Sequence, residues 1–384
     1  MTGDHDPGPD SGAGGGRRFR VAMLGAKGVP ARVGGVEKIV DDLGARLVSR
    51  GHQVTVYCRR EYTGALPEKT HRGMRLVWTP AIPGKYTSTL SHAVTSLFDA
   101  LFRGYDILHI HSLGTAPIVP MAWLAGKRIL FHIHGQEWKG GKWGPRSRAY
   151  FKACEPVALD FAHDVIVNTE ASRDYYRAAY GKATTYIPNA VDVPAVRDTG
   201  ILSELGLLPR GYLLFVGRLV PEKGCHHLVA AHRQLGLDIP VIVIGEPAHS
   251  ERYASSLRET AGPHFRFLGT VLGDRLTELY ARSLMVVNPT ERDAVSLVLL
   301  EAMAQGACVV ASDIPEMMEG VGGCGYHFRE RDAGDLARVL HELLSDPDRI
   351  ERVRGPARER VRRQYAWDPV TDQFEDLYRK VAGR

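Results

Sequence analysis

The sequence predicts an α/β protein made of two doubly wound domains in tandem, each a parallel sheet with helices on both faces. Three observations predict it. Short apolar runs alternate with amphipathic segments from Phe19 onward. The alternation occurs twice, on either side of a Pro-, Gly- and charge-rich passage from Asp192 to Gly211. The chain has 384 residues, enough for two domains that each bury a core.

The elements follow in order. Met1 to about Gly16 is rich in Gly, Asp and Pro with no apolar period, so residues 1–17 read as a disordered tail without the apolar segment of a signal peptide. A first Rossmann-like domain is expected over 18–190. Its buried parallel strands are Phe19–Leu24, Val54–Cys58, Ile107–Ile110, Ile129–Ile133, Val165–Val167 and Thr185–Ile187, with amphipathic helices over Val36–Ser49 and Ser147–Phe161. Residues 191–211 form the linker. A second Rossmann-like domain, 212–365, carries strands Tyr212–Val216, Val241–Ile244, Phe265–Leu268, Leu284–Val287 and Cys308–Ala311. Charged helices close the chain from about Asp332 to Val381, and the segment 366–384 is expected to pack back on the first domain. Sheets of this kind bind ligands beyond the carboxyl ends of their strands, so two of them facing each other make a cleft.

Composition narrows the class. Hydrophobic residues make up 44% and charged residues 24%, values of a soluble globular protein, and no stretch of eighteen apolar residues suggests a membrane span. Five scattered cysteines without C-x-x-C spacing argue for a reducing, cytoplasmic setting and against a disulfide or zinc framework. A net charge of +5 is a mild excess that does not by itself indicate nucleic acid, and no Lys/Arg run with interleaved aromatics resembles an RNA-binding module. One segment, Trp138 to Lys152, is basic and aromatic with no acid inside it. It is either a solvated loop and helix start, or a surface that meets phosphate groups of an acceptor or of anionic lipid at the inner membrane face.

The chemistry-bearing motifs sit where such a cleft would be. Asp293 and Glu301 bracket seven mostly apolar residues. Ser296 is expected to cap a helix that buries Leu297, Leu300 and Ala304, leaving Glu301 near an open helix N-terminus. A carboxylate there can accept two hydrogen bonds from a diol, while free N–H groups suit a diphosphate. A merely solvated acid on a short helix is the bland alternative. Gly217-Arg218 and Lys223-Gly224 place two cations between a strand end and a helix, again a position for a diphosphate. Gly34-Gly35 follow the first strand and open a helix. They permit close backbone approach to a ligand, although the loop is too long for a dinucleotide fingerprint. His109, His111, His132 and His134 end two strands. Neutral hydrogen-bonding histidines are preferred there over a metal site, because no carboxylate or Cys accompanies them at ligand spacing.

Together these residues resemble the retaining glycosyltransferases of family 4, which have the GT-B fold. The likeness runs from Phe19 onward. Glu301 matches the family's second acid and ribose-binding position, and Asp293 stands where a first Glu is usual. Gly217-Arg218 to Lys223-Gly224 looks like its diphosphate clamp, and Ile187-Pro-Asn-Ala-Val-Asp192 is similar to its I-P-N-G-V-D segment, with Ala190 for Gly. The opening loop through Gly34-Gly35 and the run His134–Trp143 resemble more narrowly a bacterial subgroup of rhamnosyltransferases and surface-polysaccharide enzymes. The resemblance implies transfer of a hexosyl unit from a nucleoside diphosphate sugar, with retention, to a glycan, lipid-linked or small-molecule acceptor, and no obligatory metal or other cofactor. Catalytic roles fall to His134, Asp293, Arg218 and Lys223. Donor contacts are expected from Gly34, Gly35, Gly217, Arg218, Lys223, Ser296, Leu297 and Glu301, and acceptor contacts from His111, Glu137 and Trp138. The competing readings are a non-catalytic nucleotide-sugar partner or sensor, with Asp293 marking lost chemistry, and a nucleotide-sugar epimerase of the same architecture.

Overall fold

In a computed structural model the chain is described over residues 17–31, 34–64, 68–84, 87–139, 143–247, 251–292 and 296–383. The first sheet holds β1 (Arg20–Leu24), β2 (Gln53–Cys58), β3 (Thr70–His71), β4 (Met74–Trp78), β5 (Ile107–His111), β6 (Ile129–Ile133), β7 (Asp164–Val167) and β8 (Thr185–Tyr186). Their order is β3-β4-β2-β1-β5-β6-β7-β8, and all pairs are parallel except β3 with β4. The second sheet holds β9 (Leu213–Val216), β10 (Val241–Ile244), β11 (Phe265–Gly269), β12 (Met285–Asn288), β13 (Val309–Ser312) and β14 (Tyr326–Phe328). It runs β11-β10-β9-β12-β13-β14 and is parallel throughout.

Most strands are apolar along their length because a parallel sheet covered on both faces leaves no side for water. All four residues of β10, Val-Ile-Val-Ile, are buried. Strands β12 and β13 begin one residue later than the sequence suggests. The edge strands β3 and β14, and β4 next to β3, lie outside the sequence expectations. Arg75 interrupts the apolar run of β4, and β14 is three residues long, too short to show a period. Arg72 and Gly73, both at positive φ (49° and 79°), make the two-residue turn between β3 and β4.

The last helix crosses between the halves. Trp367–Ala382 sets Phe374, Leu377, Tyr378 and Val381 into the core formed by Val21, Met23, Ile107 and Leu130 of the first sheet. Each such fully buried side chain contributes about 1.5–3 kcal/mol. The opposite face of that sheet is covered by the helices Thr87–Leu101 and Pro145–Phe161. Polar contacts also join the halves. Arg46 pairs with Asp192, Glu319 Oε2 accepts from Glu170 N at 2.8 Å, and Val191 N donates to Tyr365 O at 2.8 Å. Strand order reverses between β1 and β5 and between β9 and β12, so the loops leaving those strands form the crevice of each sheet.

Candidate functional site

The second-domain half of the site is built by the loops after β9 and β12. Gly217 closes β9 with a hydrogen bond from its N to Ile244 O at 2.9 Å, and Arg218 and Lys223 follow in a turn ended by Gly224. Gly224 has φ 68°, and a Cβ there would stand 1.9 Å from Pro289 O, so only glycine lets the two loops touch. They are then tied together, because Glu291 N donates to Glu222 O at 2.9 Å and Thr290 Oγ1 to the same oxygen at 3.2 Å. Arg218 is half exposed, with Glu222 at 3.6 Å as a loose partner, so its guanidinium can turn to an anion.

The helix Leu297–Ala304 follows, with Ser296 at its N-cap position. The expected cap bond is not made. The Ser296 hydroxyl instead accepts from Asn288 Nδ2 at 3.3 Å, which leaves the first-turn N–H groups without a side-chain cap. Glu301 lies in the second turn and is partly exposed. Tyr280 Oη donates to its Oε2 at 3.4 Å, and Lys38 of the first domain pairs with its Oε1. Burial alone would lower the Lys38 ammonium, but the Glu301 carboxylate outweighs it and holds the pKa above the ordinary value. Lys38 comes from the helix opened by Gly34-Gly35, where Gly34 has φ 117°. Glu301, singled out by sequence, is therefore a contact point between the two domains. Lys38 and Tyr280 carried no sequence signal, since a Lys at a helix start and a Tyr in a helix are unremarkable by themselves. Asp293 lies outside the described residues.

The first-domain half is a stack of imidazoles. His109, His111, His132 and His134 share one face of β5 and β6, with His132 and His134 ring centroids 3.9 Å apart and His109 and His111 4.2 Å apart. His109 Nδ1 is 2.9 Å from Tyr378 Oη, and His111 Nδ1 is 3.0 Å from His134 Nε2. Burial pushes His109 and His134 down to about 3, and His111 and His132 well below the usual imidazole value. All four are neutral near pH 7. His134 alone of the quartet is partly exposed. His111, expected to touch an acceptor, is fully buried and bonds to His134 instead, because the alternation of β5 puts it on the covered face that His109 shares.

Glu137 is also turned inward. Its Oε1 accepts from Leu113 N at 3.3 Å and its Oε2 is buried without a partner, so desolvation pushes the carboxyl up to about 7. Trp138 is held in place by the buried Glu155, whose Oε1 accepts from Trp138 Nε1 at 2.7 Å. Tyr175, Tyr176 and Tyr180 donate to the same carboxylate at 3.0, 3.1 and 2.6 Å, and Lys152 pairs with it at 3.0 Å. Burial would raise Glu155, but the bonds from Tyr180, Trp138 and Lys152 prevail and lower it.

Among the described residues two groups have donor atoms close enough to share a cation. One is His109, His111 and His132, and the other is His226, His227 and Glu291, whose carboxylate already binds Arg331 at 2.7 Å. An open hollow of about 510 Å³ lined by Arg20, His52, Arg75 and Arg103 lies at the amino ends of the first sheet's strands, opposite the cleft.

This arrangement, two facing Rossmann-like domains with cations and a carboxylate at one switch point and imidazoles at the other, defines the GT-B class. Residues 33–194 match the model of Glycosyltransferase Family 4, and residues 210–346 match that of Glycosyl transferases group 1. The two matches lie on the two halves of the chain, one on each Rossmann-like domain, and both are to glycosyltransferase models. The chain is 31% identical to alpha-maltose-1-phosphate synthase of Mycobacterium tuberculosis over 59% of its length, a segment that spans 65% of that protein's length. It is 28% identical to the GDP-mannose-dependent alpha-(1-6)-phosphatidylinositol monomannoside mannosyltransferase of the same organism, with 93% of this chain and 97% of that one covered. The fold is similar to that of sucrose-phosphate synthase from Thermosynechococcus elongatus (TM-score 0.81, 21% identity, 95% and 99% coverage). It is also similar to that of Anabaena HepE in complex with UDP-glucose (TM-score 0.78, 19% identity, 94% and 100% coverage). No helix among the described residues is long and apolar enough to cross a membrane.

Proposed function

We propose that the chain transfers a hexosyl unit from a nucleoside diphosphate sugar to an acceptor hydroxyl with retention of configuration. The observation that supports this reading is that Arg218 and Lys223 follow β9 and Glu301 follows β12, the two strands at which the order of the second sheet reverses, while His134 follows β6 of the first sheet. Glu301 accepts from the ribose hydroxyls in the place where it now holds Lys38. Arg218 and Lys223, with the uncapped N–H groups of Leu297–Ala304, take the diphosphate and stabilise the charge that grows on it as the sugar leaves. The leaving phosphate takes the acceptor proton, so no protein nucleophile is needed. Neutral His134 orients the donor sugar, its Nε2 fixed by His111. Asp293 would hold the sugar's hydroxyls, with less reach than the Glu usual at that position. Because the protein supplies the cations, activity is expected to persist in chelator; loss in chelator restored by magnesium would overturn that point.

The acceptor side is read as the first-domain wall from His134 to Trp138, and the opening loop and His134–Trp143 favour a glycan or lipid-linked acceptor of surface-polysaccharide assembly. Peripheral contact with an anionic membrane is supported by exposed Met121, Trp123 and Leu124 beside Lys127 and Arg128. A thermal-shift screen against UDP-, dTDP-, GDP- and ADP-sugars, followed by a transfer assay, tests the reading. Ligand at a hundred times its Kd adds about 2.7 kcal/mol of stability. Binding without transfer to any acceptor would favour the non-catalytic sensor instead.

A further inference from the structure

On the acceptor side of the cleft lies an open hollow of about 620 Å³ lined by Trp138, Lys139, Arg148, Ala149, Lys152 and Arg292. Four of these six residues are cations, and three separate elements deliver them. Lys139 follows Trp138 on the turn Glu137–Lys139, Arg148 and Lys152 lie one helical turn apart on Pro145–Phe161, and Arg292 reaches in from the loop after β12. Among the described residues no carboxylate lines the hollow. Two stand behind it, and neither offsets the field fully. Glu155 is buried beneath five donors, and Glu137 is turned to Leu113 N with its charge half suppressed near pH 7.

The wall is built rather than incidental. The Lys152 ammonium lies 4.4 Å from the Trp138 ring centroid and 4.8 Å from that of Tyr175, held there by Glu155. Arg148 and Arg292 bring planar forks from the two domains, the geometry that matches phosphate oxygens. With Lys152 paired to Glu155 the hollow still carries an excess of positive charge, and a dianion offsets it. Trp138 is four residues from His134, at most about 14 Å along the chain, so a group seated here is within a sugar or two of the transfer position.

We propose that this hollow is an anion subsite for a phosphate ester carried by the acceptor. Arg148 and Arg292 grip the phosphate from opposite domains, Lys139 and Lys152 add point charge, and Trp138 stacks on the adjoining unit. The assignment to the acceptor rests on the glycosyltransferase reading; phosphate binding itself does not.

The test uses the full chain and phenyl phosphate as the probe, titrated by calorimetry with and without a saturating mixture of UDP, GDP and ADP. The expected result is binding that survives the nucleoside diphosphates and weakens at least tenfold in Arg148→Glu and in Arg292→Glu. Both variants should keep the wild-type melting temperature and nucleotide binding. Displacement of the probe by nucleoside diphosphates, or unchanged binding in both variants, overturns the subsite. So does a chain that ignores phenyl phosphate yet binds phosphatidylglycerol vesicles in an Arg148-dependent way, which would make the face a membrane contact. If the probe binds as expected while no nucleotide sugar does, the phosphate subsite stands and the transferase reading falls.

Discussion

The two walls of the cleft meet a ligand with opposite chemistry. The second domain offers charge that stays accessible to varying degrees: exposed Arg218 and half-buried Lys223 on a glycine-flanked turn, and half-buried Glu301 on a short helix. The first domain offers polarity that is mostly buried: four stacked neutral imidazoles, of which His134 shows at the surface. A mobile, solvated charge can follow a diphosphate as it leaves. A stack locked under the helix Trp367–Ala382 can hold one ring in one orientation. The contrast teaches that recognition of the departing group and positioning of the sugar are built from different materials, and each can be broken separately.

The largest effect is expected on the charged wall. Two charge-assisted contacts at about 1.5–3 kcal/mol each imply a fall in donor kcat/KM of roughly 10²–10⁴-fold for the double variant Arg218→Ala, Lys223→Ala. A fall under tenfold in steady-state assays would remove the clamp from the mechanism. Glu301→Ala should cost roughly ten- to a hundredfold in donor use. Unchanged KM and kcat in that variant would leave Glu301 as no more than Lys38's partner.

Arg218, Lys223 and Glu301 stand out in the sequence because spacing carries them. A strand end, a glycine, a cation and a helix start are all local. Lys38, Tyr280 and Glu155 are not legible in that way, because each matters through a contact with residues distant in the chain. His111 shows the converse: its place with His109 at the end of one strand is legible, but which face of that strand is covered is not.

On the imidazole wall the expected effects are smaller and depend on pH. The quartet stays neutral in the folded state while the unfolded chain protonates near 6.5, so the unfolded state binds more protons below that value. Stability should therefore fall as pH drops from about 6.5 toward 3, by at most about 1.4 kcal/mol per pH unit for each histidine. In His132→Phe, denaturant unfolding at pH 5 and pH 7.5 should show a shallower loss. A slope equal to wild type would mean that the stack charges in place.

Glu137 gives the smallest expected effect and the opposite sign. Its folded carboxyl holds a proton up to about 7 while the unfolded one releases it near the usual carboxylate value. The folded state thus binds more protons between those values, and this residue's contribution to stability is lost as pH rises through 7. Glu137→Gln, which cannot ionise, should gain stability relative to wild type between pH 5 and pH 8. A constant difference across that range would place the charge in contact with water.

Legible in one dimension are the α/β class, the two-fold repetition of the alternating pattern, the strand ends that precede Arg218, Lys223 and His134, and the short helix that carries Glu301. Periodicity and glycine placement are properties of neighbouring residues, so they survive in one dimension. Only the tertiary structure decided that Glu301 faces Lys38, that Ser296 answers Asn288 rather than its own helix, that His111 lies beneath His134, and that Arg148 and Arg292 share one hollow. Those are meetings of groups far apart along the chain, set by which faces pack. No local pattern encodes them.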